Sequence, residues 1–427
     1  MLDAQVTISE PTSTSKPAAP TQAQPLTNLW RNKQYVLLFF AYTFALFGNS
    51  FHTIALNLWV LNETGSAKMM SVILVCHLVV AALFGSVAGT VVDRFNRRTI
   101  MMIADILRCL LVITIAVCVA IPNTPFIFIV ILTGLVTFLS LFQGPAFNAS
   151  LINIVGKEHI QKASGYLNIA DNIARIVGYA VGGIFVAAFG GAWAIFIDGM
   201  TFLLSFVLIW LAGSFPSPRT NTGSQRKFID DFRIGFRFVR TNPFAKAVTV
   251  LLPFLALCFM SALMLTQVMA VKVWQATPFE FGLIEACIPL GYMIGAGIIV
   301  AFGSKIKRRG RLVMFNLLLM GPAYLILSYS SSTITAIPTI LLVGFTFSFC
   351  TLLVNIILRL EISEELQGRV FGIMGSLISV MPSVGLVVAS YFADIYGAGS
   401  VMRVIGIILL LFALVAVVKL KEIRNYN

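Results

Sequence analysis

Long apolar runs constrain this chain more than any other feature of its sequence. From about Tyr35 to the C-terminus, apolar stretches alternate with short polar connections. A helix needs about 20 apolar residues to cross a bilayer, and lipid offers its backbone polar groups no partners. Only 11% of the 427 residues are charged, whereas soluble domains carry about 25%. The sequence therefore predicts an all-α membrane protein with about 12 transmembrane helices.

The apolar runs fall into two sets of about six on either side of a polar linker. The first set lies near residues 35–61, 69–92, 99–120, 125–152, 162–189 and 192–212. The second set lies near residues 246–273, 279–303, 312–329, 333–360, 367–393 and 400–418. The spacing from Gly89 to Arg97 recurs at a constant offset from Gly303 to Arg311. Because such repeats are typical of secondary transporters, we expect two pseudo-symmetric six-helix bundles.

Basic residues predict how the chain is oriented in the membrane. The connections on one side of the predicted spans, together with both ends of the chain, carry Arg31, Lys33, Arg94, Arg97, Arg98, Lys157, Lys162, Lys305, Lys307, Arg308, Arg309, Arg311, Arg369, Lys419, Lys421 and Arg424. The opposite connections hold little beyond Lys68, Lys272 and Arg403. Short cytoplasmic loops accumulate Lys and Arg. We therefore expect a multi-pass protein of the cell membrane with both termini in the cytoplasm.

Composition divides the chain into five segments. They are a disordered cytoplasmic tail (1–30), a first bundle (31–212), a cytoplasmic linker (213–244), a second bundle (245–420) and a short cytoplasmic tail (421–427). The N-terminal tail lacks the apolar region of a signal peptide. In the linker, Phe228, Phe232 and Phe236 recur near helical spacing with arginines between them, which predicts an amphipathic helix on the membrane surface.

The most specific local pattern is Gly89-x-x-x-Asp93-Arg94-x-x-Arg97-Arg98, in the turn between spans two and three. Gly89 would permit close helix approach, and Asp93 could accept hydrogen bonds from a facing helix N-terminus or an arginine. The alternative for the three arginines is that they only anchor the turn at the cytoplasmic surface.

This pattern resembles the conserved loop of the major facilitator superfamily, and the chain resembles its macrolide-efflux and siderophore-exporter branch from Trp30 onward. Further residues that carry the resemblance are Thr64-Gly65-Ser66-Ala67, Gly144-Pro145-Ala146, Gly368-Arg369-Val370-Phe371 and Ser390 to Gly397. The resemblance implies the major facilitator fold, and a loop that clamps the two halves in an outward-facing state. Asp93 would then engage the start of span eleven near Gly368 and Arg369. Span four departs from the drug-antiporter pattern, because Phe138 to Gln143 lacks the arginine of many proton-coupled members.

Ionisable residues within spans are unfavourable in lipid and are therefore functional candidates. Asp105 and Arg108 lie three residues apart in span three, and Asp171 and Arg175 lie four apart in span five. Each pair shares a helix face. The alternative is a self-neutralising pair that only packs the bundle.

Isolated acids and imidazoles are the candidates for proton coupling. Glu285 in span eight has no charged neighbour one turn away, and Asp198 in span six is similar; such acids suit reversible protonation or cation binding. His52 and His77 come out at comparable depth in spans one and two. Imidazole titrates near neutral pH, although a packing role is the alternative for both histidines. Asp105 joins this group as a buried acid.

Further polar residues are candidates for contact with substrate in a central cavity. They are Arg108, Asp171, Arg175, Gln143, Gln267 and Lys272. The sequence does not show which of them faces a cavity.

Several function classes lack their signatures. The sequence has no phosphate-binding Gly-x-x-x-x-Gly-Lys-Ser/Thr loop, no His-Glu-x-x-His motif and no Gly-x-Ser-x-Gly elbow, so we expect neither ATP drive nor an enzyme. The six cysteines lie within apolar runs without metal-ligand spacing, and we expect no metal. The basic residues form no face for nucleic acid. We expect no cofactor, with a proton gradient as the driving force, and a monomer whose partners are the bilayer and a small amphipathic substrate.

The leading hypothesis is a proton-coupled exporter of large amphipathic compounds such as macrolides. A siderophore exporter of the same fold is the alternative, in which Arg108, Arg175 or Lys272 would meet an anionic catecholate. A non-transporting sensor or scaffold that signals through the amphipathic linker is the alternative from another class.

Overall fold

The computed structural model of the protein describes residues 29–215, 236–302, 308–362 and 364–426, with the backbone alone for residues 364, 365 and 367–369. The tail prediction for residues 1–28 and the linker prediction for residues 216–235 lie outside these ranges. Residues 236–241, the described end of the predicted amphipathic segment, are helical.

Twelve helices in the described part of the chain are long and apolar enough to span a membrane. The first half contains α1 (Lys33–Thr64), α2 (Ala67–Arg94), α3 (Arg97–Ala120), α4 (Phe126–Val155), α5 (Ile160–Phe189) and α6 (Gly191–Leu211). The second half contains α7 (Pro243–Lys272), α8 (Pro278–Phe302), α9 (Arg309–Ser328), α10 (Thr333–Glu361), α11 (Glu364–Tyr396) and α12 (Ala398–Lys419). The predicted number of spans is confirmed.

Turn and cap residues set the sharp ends of these helices. Gly65 adopts a left-handed conformation with φ of 56° and ends α1, a conformation that glycine adopts without strain. The Ser66 side chain then caps α2, and the Asn96 side chain accepts hydrogen bonds from the first N–H groups of α3. Because these connections are so short, consecutive spans run antiparallel.

Helix packing repeats between the halves. In the first half α1 packs on α5 and α6, α2 on α4, and α3 on α4 and α6. In the second half α7 packs on α11 and α12, α8 on α10, and α9 on α10 and α12. Each pairing recurs with a shift of six helices, which confirms the two pseudo-symmetric bundles. The halves meet mainly through α2 with α11 and α5 with α8.

The odd-numbered helices all begin at the same face of the molecule. We call it the terminus face, because it holds residue 29, the α2–α3 turn and the C-terminal residues; the opposite side is the far face. At the terminus face a short helix, α13 (Lys421–Arg424), follows α12. Ile423 is fully buried, and the backbone N–H of Gly310 donates to Tyr426 at 3.0 Å. The predicted C-terminal tail is therefore docked against the start of α9.

Candidate transport site

At the far face, the end of α11 binds the start of α2. The Asp394 carboxylate accepts hydrogen bonds from the Ser66 hydroxyl at 2.7 Å and from the backbone N–H groups of Ala67 at 2.7 Å and Lys68 at 3.2 Å. One turn deeper, the Ser71 hydroxyl donates to that of Ser390 at 2.8 Å. A carboxylate at a helix N-terminus satisfies free N–H groups and complements the helix dipole. The contact therefore joins the two halves at this face.

Backbone contact between α5 and α8 closes the same face. A Cβ atom at Gly183 would lie 2.6 Å from the Pro278 carbonyl oxygen and 3.1 Å from the Cα of Gly282. A Cβ at Gly282 would in turn collide with the Tyr179 carbonyl oxygen. Only glycine permits such an approach, so the two helices touch without intervening side chains.

The helices α2 and α11, which meet at the far face, are separate at the terminus face. A Cβ atom at Gly85, Gly89, Gly372 or Gly375 would meet no atom of the described residues within 4 Å. Among these residues Gly89 therefore has no close helix neighbour in this conformation, and its predicted role in close helix approach stays a prediction. Asp93 is exposed.

The predicted contact of Asp93 with Gly368 and Arg369 concerns side chains outside the described part of the structure. It therefore stays a prediction for another conformation. The structure described here is closed at the far face and open at the terminus face.

The other residues of the loop motif hold the first half together. Arg97 donates to the Ala149 carbonyl near the end of α4 at 3.3 Å. Arg98 donates to the Ile209 and Trp210 carbonyls at the end of α6, at 3.3 and 2.8 Å. The Ile209 and Trp210 carbonyls lie in the last turn of α6, where a cation satisfies free carbonyls and complements the helix dipole. Arg94 is exposed.

A cavity of about 480 Å³, here called the central cavity, lies below the closed far face and is lined by the first half and by Gln267 of the second half. Its polar lining includes Asn49, His52, Asn57, His77, Thr133, Arg175, Tyr179, Asp198 and Gln267. Leu46, Leu56, Ile73, Leu74 and Val136 supply its apolar surface. A large cavity with apolar walls and a few polar groups is typical of a small-molecule site.

Two imidazoles face this cavity from the first half. His52 Nδ1 lies 3.0 Å from Oδ2 of Asp198, which is 1% exposed. His77 Nδ1 lies 2.6 Å from the Thr137 hydroxyl on α4. The sequence placed the two histidines at comparable depth, and both line the same cavity.

Asp105 and Arg108 lie deeper, inside the first bundle. Oδ1 of Asp105 is 3.9 Å from Arg108 Nη1, and its Oδ2 accepts from the Ser205 hydroxyl at 2.6 Å. The Arg108 guanidinium stacks on the Phe202 ring at 3.8 Å. Gln143 faces the Asp105 carboxylate from α4. The expected pairing of Asp105 with Arg108 is therefore present as one part of a larger polar cluster.

Glu285 of the second half lies behind Gln267, outside the lining of the central cavity. It is 6% exposed, and its Oε1 accepts a hydrogen bond from Gln267 Nε2 at 2.8 Å. Gln267 itself lines the central cavity. The acid therefore communicates with the cavity through a neutral amide and, within the described ranges, forms no salt bridge.

Comparison with known proteins decides the family. A family model described as Major Facilitator Superfamily matches residues 38–385 and 268–425. The chain belongs to the Major Facilitator Superfamily. Members are transporters, so the expectation of a non-enzymatic membrane protein is confirmed.

Two relatives of the chain within this superfamily are named for efflux. Macrolide efflux protein A of Streptococcus pyogenes is 23% identical over 405 residues, covering 94% of this chain and 98% of the relative. The multidrug efflux pump Tap of Mycolicibacterium fortuitum is 24% identical over 404 residues, covering 92% and 97%.

Solved superfamily structures share the fold. The nucleoside transporter NupG matches with a TM-score of 0.72 at 11% identity, covering 92% of this chain and 100% of NupG. A bacterial homologue of the human lysosomal transporter Spinster, in an inward-facing and unoccupied conformation, matches with a TM-score of 0.72 at 12% identity, covering 93% and 98%.

The remaining residues predicted to contact substrate do not all lie at the cavity. Asp171 and Arg175 form a 3.1 Å ion pair, and Arg175 reaches the central cavity. Lys272 is exposed at the far end of α7 and is absent from the cavity wall, contrary to our expectation. Its position near a helix end, close to Asp394, explains this difference.

Sequence reasoning missed Tyr179, Asp394 and the α5–α8 glycine contact. Tyr179 lines the cavity next to Arg175. A signal for the glycine contact was present, since Gly178-x-x-x-Gly182-Gly183 has the small-residue spacing of close helix pairs. Asp394 was part of the family resemblance, but nothing in the sequence paired it with α2.

Proposed function

We propose that this protein exports large amphipathic compounds of the macrolide type from the cytoplasm in exchange for protons. The observation that carries the proposal is the central cavity, which is closed at one face, has one buried acid in its wall and has a second behind a wall residue. Asp198 contacts the cavity with His52, and Glu285 contacts it through Gln267. Buried acids at a transport cavity are typical of ion-coupled carriers.

The distribution of charge supports the direction of transport. The terminus face carries most of the Lys and Arg residues of the short connections, so we place it and both termini in the cytoplasm. A cavity open to that face receives its substrate from inside the cell. We further propose that the protein acts as a monomer in the cell membrane.

The chemistry of the cavity supports an amphipathic substrate over an anionic siderophore. Of the three cations considered for a catecholate, Arg175 alone lines the central cavity, and its charge is balanced by Asp171. Arg108 is buried against Phe202, and Lys272 lies at the far face. The apolar walls instead suit a bulky lipophilic body, and the names of the two efflux relatives agree with this choice.

Drug accumulation in cells tests the proposal. Cells that express the protein should retain several-fold less radiolabelled erythromycin than vector controls, and a protonophore should abolish the difference. Asp198→Asn and Glu285→Gln should each raise accumulation toward the vector level, whereas Glu63→Gln, at an exposed far-face carboxylate, should behave like the natural protein. Equal accumulation in vector and expressing cells would refute export of this substrate class.

A further inference from the structure

The first bundle contains a buried polar cluster that lies mostly outside the lining of the central cavity. We define the inner cluster as Asp105, Arg108, Gln143, Asp198 and Ser205, from helices α3, α4 and α6. Asp105 is 0% exposed, Asp198 1% and Arg108 6%. Asp198 alone of these residues lines the central cavity. The cluster therefore extends from the cavity wall into the bundle.

The charges of the inner cluster do not balance without a proton. Arg108 lies close enough to both Asp105 and Asp198 to interact electrostatically with each, so two carboxylates share one guanidinium. Burying a net charge away from water is strongly unfavourable. One bound proton, on a carboxyl group or on the adjacent His52, makes the cluster neutral.

Titratable groups on the surrounding helices do not remove this imbalance. His52 and Tyr42 face the cluster region from α1, Cys109 from α3 and His77 from α2. The Asp171–Arg175 pair on α5 is neutral as a whole. Apart from Arg108, the cations available to the cluster within the described ranges are thus protonated histidines.

A small cavity of about 70 Å³ adjoins the inner cluster on the side of the terminus face. Asn49, Arg108, Gln143 and Ser205 form its polar wall, and Leu38, Ala41, Phe147 and Ile209 are among its apolar lining. Asn49 also lines the central cavity. A space of this size accommodates about two water molecules.

Several polar atoms of the inner cluster need water as a hydrogen-bond partner. Asp105 Oδ1, Arg108 Nε, Gln143 Oε1 and Asp198 Oδ1 are buried and lack a hydrogen-bond partner of acceptable geometry within the described ranges. Buried polar atoms in proteins are nearly always paired with protein or with ordered water. Water in the small cavity would supply partners for Arg108 and Gln143, which lie beside the Asp105 carboxylate.

We propose that the inner cluster is a hydrated proton-binding site, separate from Glu285, with Asp198 as its entrance and Asp105 as its inner acceptor. A proton from the central cavity binds to an Asp198 oxygen and is relayed within the inner cluster to Asp105. It returns by the same route, so no bond other than those to the proton changes. The inference rests on the proposed proton coupling and makes it specific: each half of the transporter carries one proton per cycle.

Proton stoichiometry tests this inference. Purified protein in proteoliposomes would be given a fixed gradient of radiolabelled erythromycin, and the pH gradient that stops net flux would be measured. The natural protein should exchange about two protons per substrate, and Asp105→Asn about one, with Asp105→Glu restoring the higher ratio. Thr114→Val, an exposed position of the same helix, is the matched control.

The outcomes separate the two proposals. No flux driven by a pH gradient in the natural protein would refute proton coupling itself. Driven flux with the same ratio in Asp105→Asn and the natural protein would overturn only the inner-cluster site.

Infrared spectroscopy gives a second readout that does not need transport. The protonated-carboxyl band should respond to pH in the natural protein, lose one component in Asp105→Asn and shift in Ser205→Ala, which removes the hydrogen bond to Asp105. A spectrum unchanged by both variants would also overturn the assignment.

Discussion

The Asp394 carboxylate, near the end of α11, accepts a 2.7 Å hydrogen bond from the backbone N–H of Ala67, the first residue of α2. At the terminus face the two helices exchange roles. Asp93 lies near the end of α2, and the family resemblance predicts that it contacts the start of α11. The resemblance and the pseudo-two-fold relation thus predict that each helix carries an acid directed at the start of the other. In the conformation described here the far-face contact is formed and Asp93 is exposed.

Removing the Asp394 carboxylate should favour opening of the far face. Asp394→Ala deletes three hydrogen bonds across the halves, and loss of a helix cap alone costs about 1 kcal/mol, equivalent to about a fivefold change in population. Spin labels at Met69 and Tyr396, on α2 and α11, should report a larger fraction of long distances. Glu63→Gln at the same face should leave the distribution unchanged, and an unchanged distribution in Asp394→Ala would contradict a latch at this contact.

A methyl group at Gly183 should also oppose closure of the far face. In Gly183→Ala the added Cβ would lie 2.6 Å from a backbone oxygen of α8, and such overpacking costs about 1 to 3 kcal/mol. Transport should fall while the protein remains folded, as judged by size-exclusion chromatography. Gly165→Ala on the same helix meets open space and serves as the control. Equal transport by the two variants would show that the glycine contact is not required.

Arg98 should stabilise the first bundle more than it contributes to switching. Arg98→Ala removes hydrogen bonds to two carbonyls at the end of α6, and we expect a loss of about 1 to 2 kcal/mol in the free energy of unfolding. Thermal unfolding in detergent would measure it. Arg94→Ala, at an exposed position, should unfold at the same temperature as the natural protein. Equal losses of unfolding free energy in Arg94→Ala and Arg98→Ala would instead indicate that both arginines only anchor the turn at the membrane surface.

Gln267 should position Glu285 for exchange with the cavity. Gln267→Leu leaves the carboxylate without its 2.8 Å hydrogen bond and separates it from the cavity by an apolar side chain. We expect the pH dependence of erythromycin flux to change in Gln267→Leu, whereas Gln267→Asn, which retains an amide N–H donor, should preserve it. Identical pH profiles for Gln267→Leu and the natural protein would contradict a positioning role.

The fold followed from the sequence because apolar runs and basic connections are local signals. Each run was long enough to span, and the recurrence of the Gly89 pattern at Gly303 indicated the repeat. The structure confirmed twelve spanning helices and the pairing of equivalent helices in each half. Helix ends were less certain from hydropathy, and α7 begins at Pro243 because Asn242 caps it through Ala245 N–H.

The site was only partly predictable from the sequence, because the tertiary structure decides which side chains of neighbouring helices face each other. The sequence selected Asp198, Glu285, His52 and His77 because charge and imidazole are rare in lipid, and the structure places them in or beside one cavity. It could not locate Lys272 at the far face or pair Asp394 with α2. A sequence also encodes every conformation of a transporter, so the loop motif around Asp93 does not reveal which face is open in a given structure.

Transport driven by an imposed pH gradient tests proton-coupled export most directly. Proteoliposomes with an acidic lumen should accumulate radiolabelled erythromycin against its gradient through protein whose terminus face is exposed to the medium. Nigericin should abolish the accumulation, and Glu285→Gln should reduce it well below that of the natural protein. Uptake that is equal with and without the pH gradient, or unaffected by Glu285→Gln, would contradict coupling through the buried acids of the central cavity.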